Sequence, residues 1–191
     1  MKKCIAMILC LALALGCVAG FTEETEEKKL LGFVRMGGNF ELRCRMPEGY
    51  AITAEDADVT HYLATVSSEE KGKPVMFVSI AYDELMSGVD RLNDLDEAAL
   101  KEIEASFREE DEVEITYRET AHGTKLMVVR EVEDGTDYVD FYTVYRGYGI
   151  ELVLTGAYEE GGEPTPLTEE QIRMVIDFLS DLDFVEIEPA A

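Results

Sequence analysis

The run DYVDFYTVYRGYGIELVLTGA, residues 137–157, constrains the fold of this chain more than any other stretch. Two β-rich segments flank Arg146-Gly147-Tyr148-Gly149, which reads as a tight hairpin loop. In the first segment Val139, Phe141 and Tyr145 share one side, and Tyr138, Tyr142 and Val144 share the other. In the second, Ile150, Leu152 and Leu154 oppose Val153 and Ala157. Strands that are apolar on both sides belong inside a sheet that is covered on both sides.

The remaining segments supply that sheet and its cover. Residues 30–36 and 39–46 read as a strand pair joined by Gly37-Gly38, and Pro47-Glu48-Gly49-Tyr50 ends the second strand. Residues 53–58, TAEDAD, read as a polar excursion with a helical turn. Residues 59–66 and 74–82 form a second strand pair, of which PVMFVSIAY is apolar on both sides and therefore central. Residues 93–109 read as a helix capped by Asn93 or Asp94, with Ala99, Leu100, Ile103 and Phe107 as its buried stripe. Strands at 113–120 and 125–132 follow, joined around Ala121-His122-Gly123-Thr124, and Asp134-Gly135 turns the chain into the central hairpin. A second helix begins at Thr168, with Gln171 completing a capping box and Leu167 and Ile172 at the staple positions. Ile172, Val175, Ile176 and Leu179 form its stripe, and Phe184–Ile187 adds a last edge strand. The fold class is therefore α+β, an antiparallel sheet built from hairpins with amphipathic helices packed on it.

The N-terminus reads as an export address. Met1-Lys2-Lys3 is a basic start and CIAMILCLALALG, residues 4–16, an apolar core too short to span a membrane. The division is residues 1–20 as signal peptide, 21–29 as acidic linker and 30–188 as one domain. Ala14-Leu15-Gly16-Cys17 is similar to a bacterial lipobox, which makes Cys17 the lipid attachment site and a lipid anchor the only membrane contact. Cleavage after Ala19 or Gly20 satisfies the small-residue rule equally and gives a secreted protein. Cys4 and Cys10 lie in the apolar core, so Cys44 is the one cysteine left in the domain, and no internal disulfide can form. Its strand places Phe40, Leu42, Cys44 and Met46 on one face, which makes it a small core residue.

Charge excludes one class of partner. The chain has 17 basic and 41 acidic residues, a net charge of −24. Such a surface repels nucleic acid phosphates and anionic headgroups and favours cationic partners.

The strand NFELRCRM running into Pro47-Glu48-Gly49-Tyr50, and the terminal helix LTEEQIRMVIDFLSDLDF, resemble those of the PsbP-like α/β/α sandwich. The resemblance covers residues 30–187. It implies that fold and a non-catalytic, assembly-supporting or binding role, and it carries over no functional residue.

The chemistry of the side chains agrees with a chain that is not an enzyme and needs no cofactor. No G-x-S-x-G, G-x-G-x-x-G, P-loop or zinc-ligand spacing occurs. Asp56, Asp58 and His61 are the one metal-like cluster, the basis of an alternative reading as a metal-assisted hydrolase. Tyr138, Tyr142, Tyr145 and Tyr148 suggest a small-ligand platform on the central hairpin. Arg35, Arg43 and Arg45 could form a basic strip, and His122 sits in a turn. The leading expectation is an exported protein, lipid-anchored or secreted, that binds or supports an envelope protein partner without catalysis.

Overall fold

A computed structural model describes residues 29–30, 40–57, 61–82, 84–108, 113–133, 135–156, 165–180 and 183–186. The strands are β1 (Lys29–Leu30), β2 (Phe40–Cys44), β3 (Tyr50–Ala57), β4 (His61–Ser68), β5 (Val75–Tyr82), β6 (Glu114–Glu119), β7 (Lys125–Glu133), β8 (Thr136–Tyr145), β9 (Tyr148–Thr155) and β10 (Asp183–Glu186). The helices are α1 (Glu97–Arg108) and α2 (Glu169–Ser180). The expectations about residues 1–28, Cys17, Arg35 and Asp58, and about the side chains of Arg43 and Cys44, lie outside what is described.

Seven strands form one antiparallel sheet in the order β3-β4-β5-β9-β8-β7-β6. Two meanders, β3 to β5 and β6 to β9, join where β5 pairs with β9 from Val75↔Thr155 to Tyr82↔Tyr148. The β8–β9 hairpin is therefore central, as its two apolar faces require. Its turn is tighter than the sequence suggests. Tyr145 pairs with Tyr148, so Arg146 and Gly147 alone make the turn, and Tyr148 and Gly149 belong to β9. Both turn residues have positive φ, +48° and +83°, the type I′ geometry that matches strand twist. A smaller sheet, β1-β2-β10, places the C-terminal strand beside β2 rather than at an edge of the main sheet.

Cross-strand partners share a face, so the register sorts every side chain. On one face, Tyr62, Met76, Ile80, Leu126, Phe141, Leu152 and others pack with Leu167, Ile172, Val175 and Phe178 of the α2 segment. On the other, Met127, Val129 and Val144 pack with Met86, Leu92 and Phe107, supported by Leu100 and Ile103 of α1. The two helices thus lie on opposite faces. The second cluster draws its sheet residues from β6, β7 and β8, so α1 covers one half of its face.

Two local expectations are corrected. Residues 53–57 are strand, not a helical turn, because β4 pairs with them and an edge strand lets Glu55 and Asp56 point into water. A bulge at Thr53 absorbs the break in alternation between Ile52 and Ala54. The cap of α1 is Asp96, whose Oδ1 accepts the Ala99 N–H at 2.8 Å. Asn93 serves the sheet instead, donating to the Gly123 carbonyl and accepting the Lys125 N–H. Asp94 accepts the Arg91 N–H. The α2 start matches expectation: Gln171 Oε1 accepts the Thr168 N–H at 2.8 Å, and the Gln171 N–H reaches Thr168 Oγ1.

Candidate functional site

The residues singled out in the sequence do not converge. Asp56 pairs with Leu63 and His61 with Ala81, which puts both on the α1 face near the β3–β4 turn. Among the described residues no group of three His, Cys, Asp or Glu is placed to hold a metal ion, and Asp58 lies outside them. The four hairpin tyrosines split between the faces. Tyr138 and Tyr142 take the α1 face, Tyr145 and Tyr148 the α2 face. Tyr148 is buried against Tyr82, ring centroids 5.3 Å apart, and Tyr142 meets Phe107 edge-on at 6.1 Å. These rings are cross-strand and core contacts rather than one platform. His122 is exposed in its turn.

Arg45 borders an open groove of about 520 Å³ with Met46, Glu48, Arg173, Met174 and Phe178. The cations there stand beside acids, since Glu170 and Asp177 flank Arg173 on α2. A groove that carries both signs selects no ligand charge.

The distinctive feature is the half of the α1 face that lies beyond the α1 cluster. Three rows cross it. Glu131, Tyr138, Thr155 and Val75 form the first. Val129, Asp140, Val153, Phe77 and Thr65 form the second. Met127, Tyr142, Glu151, Ser79 and Leu63 form the third. Tyr142 is the border, because its ring lies against Phe107 on one side and within 3.4 Å of where a Gly149 side chain would begin. Beyond it, Val75, Leu63, Phe77 and Val153 belong to neither apolar cluster formed by the described residues. Val153 is nevertheless buried, and Val75, Leu63 and Phe77 are half-buried, so the strip is shielded from water.

Three carboxylates run diagonally through these rows, Glu131 on β7, Asp140 on β8 and Glu151 on β9. Asp140 is 5% exposed, and its Oδ1 is buried with no hydrogen-bond partner. Burial pushes its carboxyl well above the ordinary 3.8, and the charges of Glu151 and Glu131 push it further. Burial also raises Glu151. An acid shielded from water and flanked by acids favours its neutral form, or demands a cation.

Asp140 and Glu151 were overlooked in the sequence. The signal that finds them is an acid inside a strand that is apolar on both sides, as in YVDFY and GIELV. A charge in such a strand has no solvated face to occupy.

No protein-family model and no curated protein matches this chain. What the geometry defines is an α+β protein with an antiparallel sheet, one helix on each face, and a half-face of apolar rows crossed by carboxylates.

Proposed function

We propose that this chain is an exported, non-catalytic binding protein of the bacterial cell envelope that contacts a protein partner. One observation carries the reading: the basic start Met1-Lys2-Lys3 runs directly into an apolar segment, residues 4–16, of signal-peptide length.

Export rests on the basic start and short apolar run at the N-terminus. Among the described residues no helix is long and apolar enough to cross a membrane. Attachment through a lipid on Cys17, or release after cleavage near Gly20, are the two forms the leader allows. Helices on opposite faces of the antiparallel sheet support the resemblance to the PsbP-like sandwich, with its assembly-supporting role.

Chemical crosslinking at the cell surface tests the contact, and recovery of a defined envelope protein is expected. Recovery of no partner would overturn the reading. Intact mass of the processed protein separates the two forms: a diacylated Cys17 start in the membrane fraction, or a start near Phe21 in the medium.

A further inference from the structure

The half-face beyond α1 is shielded, yet its cover is not in the clusters of the described residues. Val153 and Asp140 are each 5% exposed, Leu63, Phe77 and Glu151 are half-buried, and Leu63, Phe77 and Val153 join neither apolar cluster. We propose that in the unprocessed chain the leader is that cover, its apolar run of residues 4–16 lying across Leu63, Phe77 and Val153, with Lys2 and Lys3 against Glu151 and Asp140. The inference rests on the export reading above and gives the leader a second task, that of masking this strip until it is removed.

The order of chemistry across the face matches the order along the chain. Lys29 pairs with Cys44 of β2, and β2 passes through residues 45–49 into β3, the edge of the main sheet. Inward from that edge come Leu63 on β4, Phe77 on β5, Val153 and Glu151 on β9, and Asp140 on β8. The face is therefore apolar first and acidic farther in. Read backwards from Lys29, the chain is an acidic linker, then the apolar run, then the two lysines. The lengths agree as well. Residues 17–28 reach at most about 40 Å when extended, enough to round the edge of one sheet. Four strands about 4.8 Å apart make a strip about 15 Å wide, and residues 4–16 cover it even when coiled as a helix of about 20 Å.

Charge complementarity fixes the far end. Asp140 Oδ1 is buried without a hydrogen-bond partner, and Glu151 lies diagonally across the β8–β9 pairing from it. Burial raises the Glu151 carboxyl, and the positive charge at the start of the chain pulls it back down. Asp140 has Val129 and Val153 as its neighbours in the row. Lysines suit acids in such a place, because each carries its ammonium on an apolar stem. Other segments outside the described residues do not match: 109–112 reads EEDE, and 157–164 carries three glutamates. Cleavage of the leader removes the apolar cover and the cations together, so the processed chain is the first form in which this strip meets water.

The test uses the full chain, made by translation without membranes so that the leader stays attached. A photo-crosslinking amino acid at Phe77 is expected to join residues 4–16 of the same molecule, located by mass spectrometry after digestion. The same group at Val132, 68% exposed and on the opposite face, should give no such product. Lys2→Glu with Lys3→Glu should lower the yield from position 77 at least about fivefold. Placement at Leu63 repeats the test where the Phe77 variant fails to fold. Crosslinks to another molecule or another segment, no crosslink at either site, or a yield indifferent to the two lysines would each overturn the inference. Removal of the leader in cells is read separately from the intact mass, so failure of the export reading is distinguishable from failure of the contact.

Discussion

Arg130 and Asp137 form a two-pronged ion pair across β7 and β8, and between them they hold both backbone groups of Leu167. Arg130 Nε donates to Asp137 Oδ1 at 2.9 Å, and its Nη2 donates to Oδ2 and to the Leu167 carbonyl. Asp137 Oδ2 also accepts the Leu167 N–H at 2.7 Å. The residue that precedes the Thr168 cap is thereby fixed to the sheet, and this sets where α2 starts on its face.

Replacing Asp137 with alanine removes the ion pair, leaves only the Arg130 contact to the Leu167 carbonyl, and strands the buried Leu167 N–H without an acceptor. Breaking one side of a buried pair costs about 3–5 kcal/mol, and the partial exposure of Arg130 places the loss at the lower end, about 3 kcal/mol. Urea unfolding should show a lower midpoint with an unchanged slope. A shift under about 1 kcal/mol would mean that α2 is held by its apolar stripe alone.

Gly156 guards the same junction. Its N–H donates to the Asp137 carbonyl, and a side-chain carbon there would lie 2.6 Å from the Thr165 carbonyl oxygen. Gly156→Ala should therefore destabilise by about 1–3 kcal/mol through overpacking against backbone. The same unfolding measurement checks it, and a neutral result would show that the Thr165 segment can move aside.

The cap of α2 gives a smaller and more local effect. Thr168→Ala removes the acceptor for the Gln171 N–H and should cost about 1 kcal/mol. Hydrogen exchange should rise in the first turn of α2 and stay unchanged in β5 and β9.

Asp140 sets a pH dependence with a definite sign. Its value in the folded chain lies well above the ordinary 3.8, so the folded state holds the proton more tightly than the unfolded state. The stability it contributes is fully present below about pH 3.8 and is lost as pH rises through the folded value. Glu151, raised by burial, acts in the same direction, and Glu131 adds its charge from β7. Asp140→Asn removes the largest part of this loss. Melts from pH 4 to 8 should show the variant's advantage over the parent growing with pH, and a constant difference would contradict the burial of this carboxyl.

The parts of the fold that could be read in advance are those written in local periodicity. The alternation in TDYVDFYTVY and YGIELVLT marks β8 and β9 as doubly covered strands, and both are. The stripe of Ile172, Val175 and Leu179 with the Thr168–Gln171 box marks α2 and its start. Misreadings occurred where a local preference met a stronger tertiary partner. TAEDA has little strand preference, yet β4 pairs with it. Asn93 is a good helix cap, yet the β6–β7 turn uses its side chain.

The candidate site was barely legible. Asp56, His61 and the four tyrosines attract attention as residue types, but the register disperses them. Asp140 and Glu151 look like two acids among 41 until the strands on either side are known.

Taken alone, the sequence determined an anionic chain, a central hairpin with two apolar faces and a well-capped terminal helix, because composition and periodicities of two and 3.6 residues are properties of neighbours along the chain. Only the tertiary structure decided that β9 lies against β5, that the helices take opposite faces, and that Asp140 is buried within the sheet. Those outcomes depend on which distant segments meet, and burial, unlike periodicity, is a property of the neighbours that folding brings together.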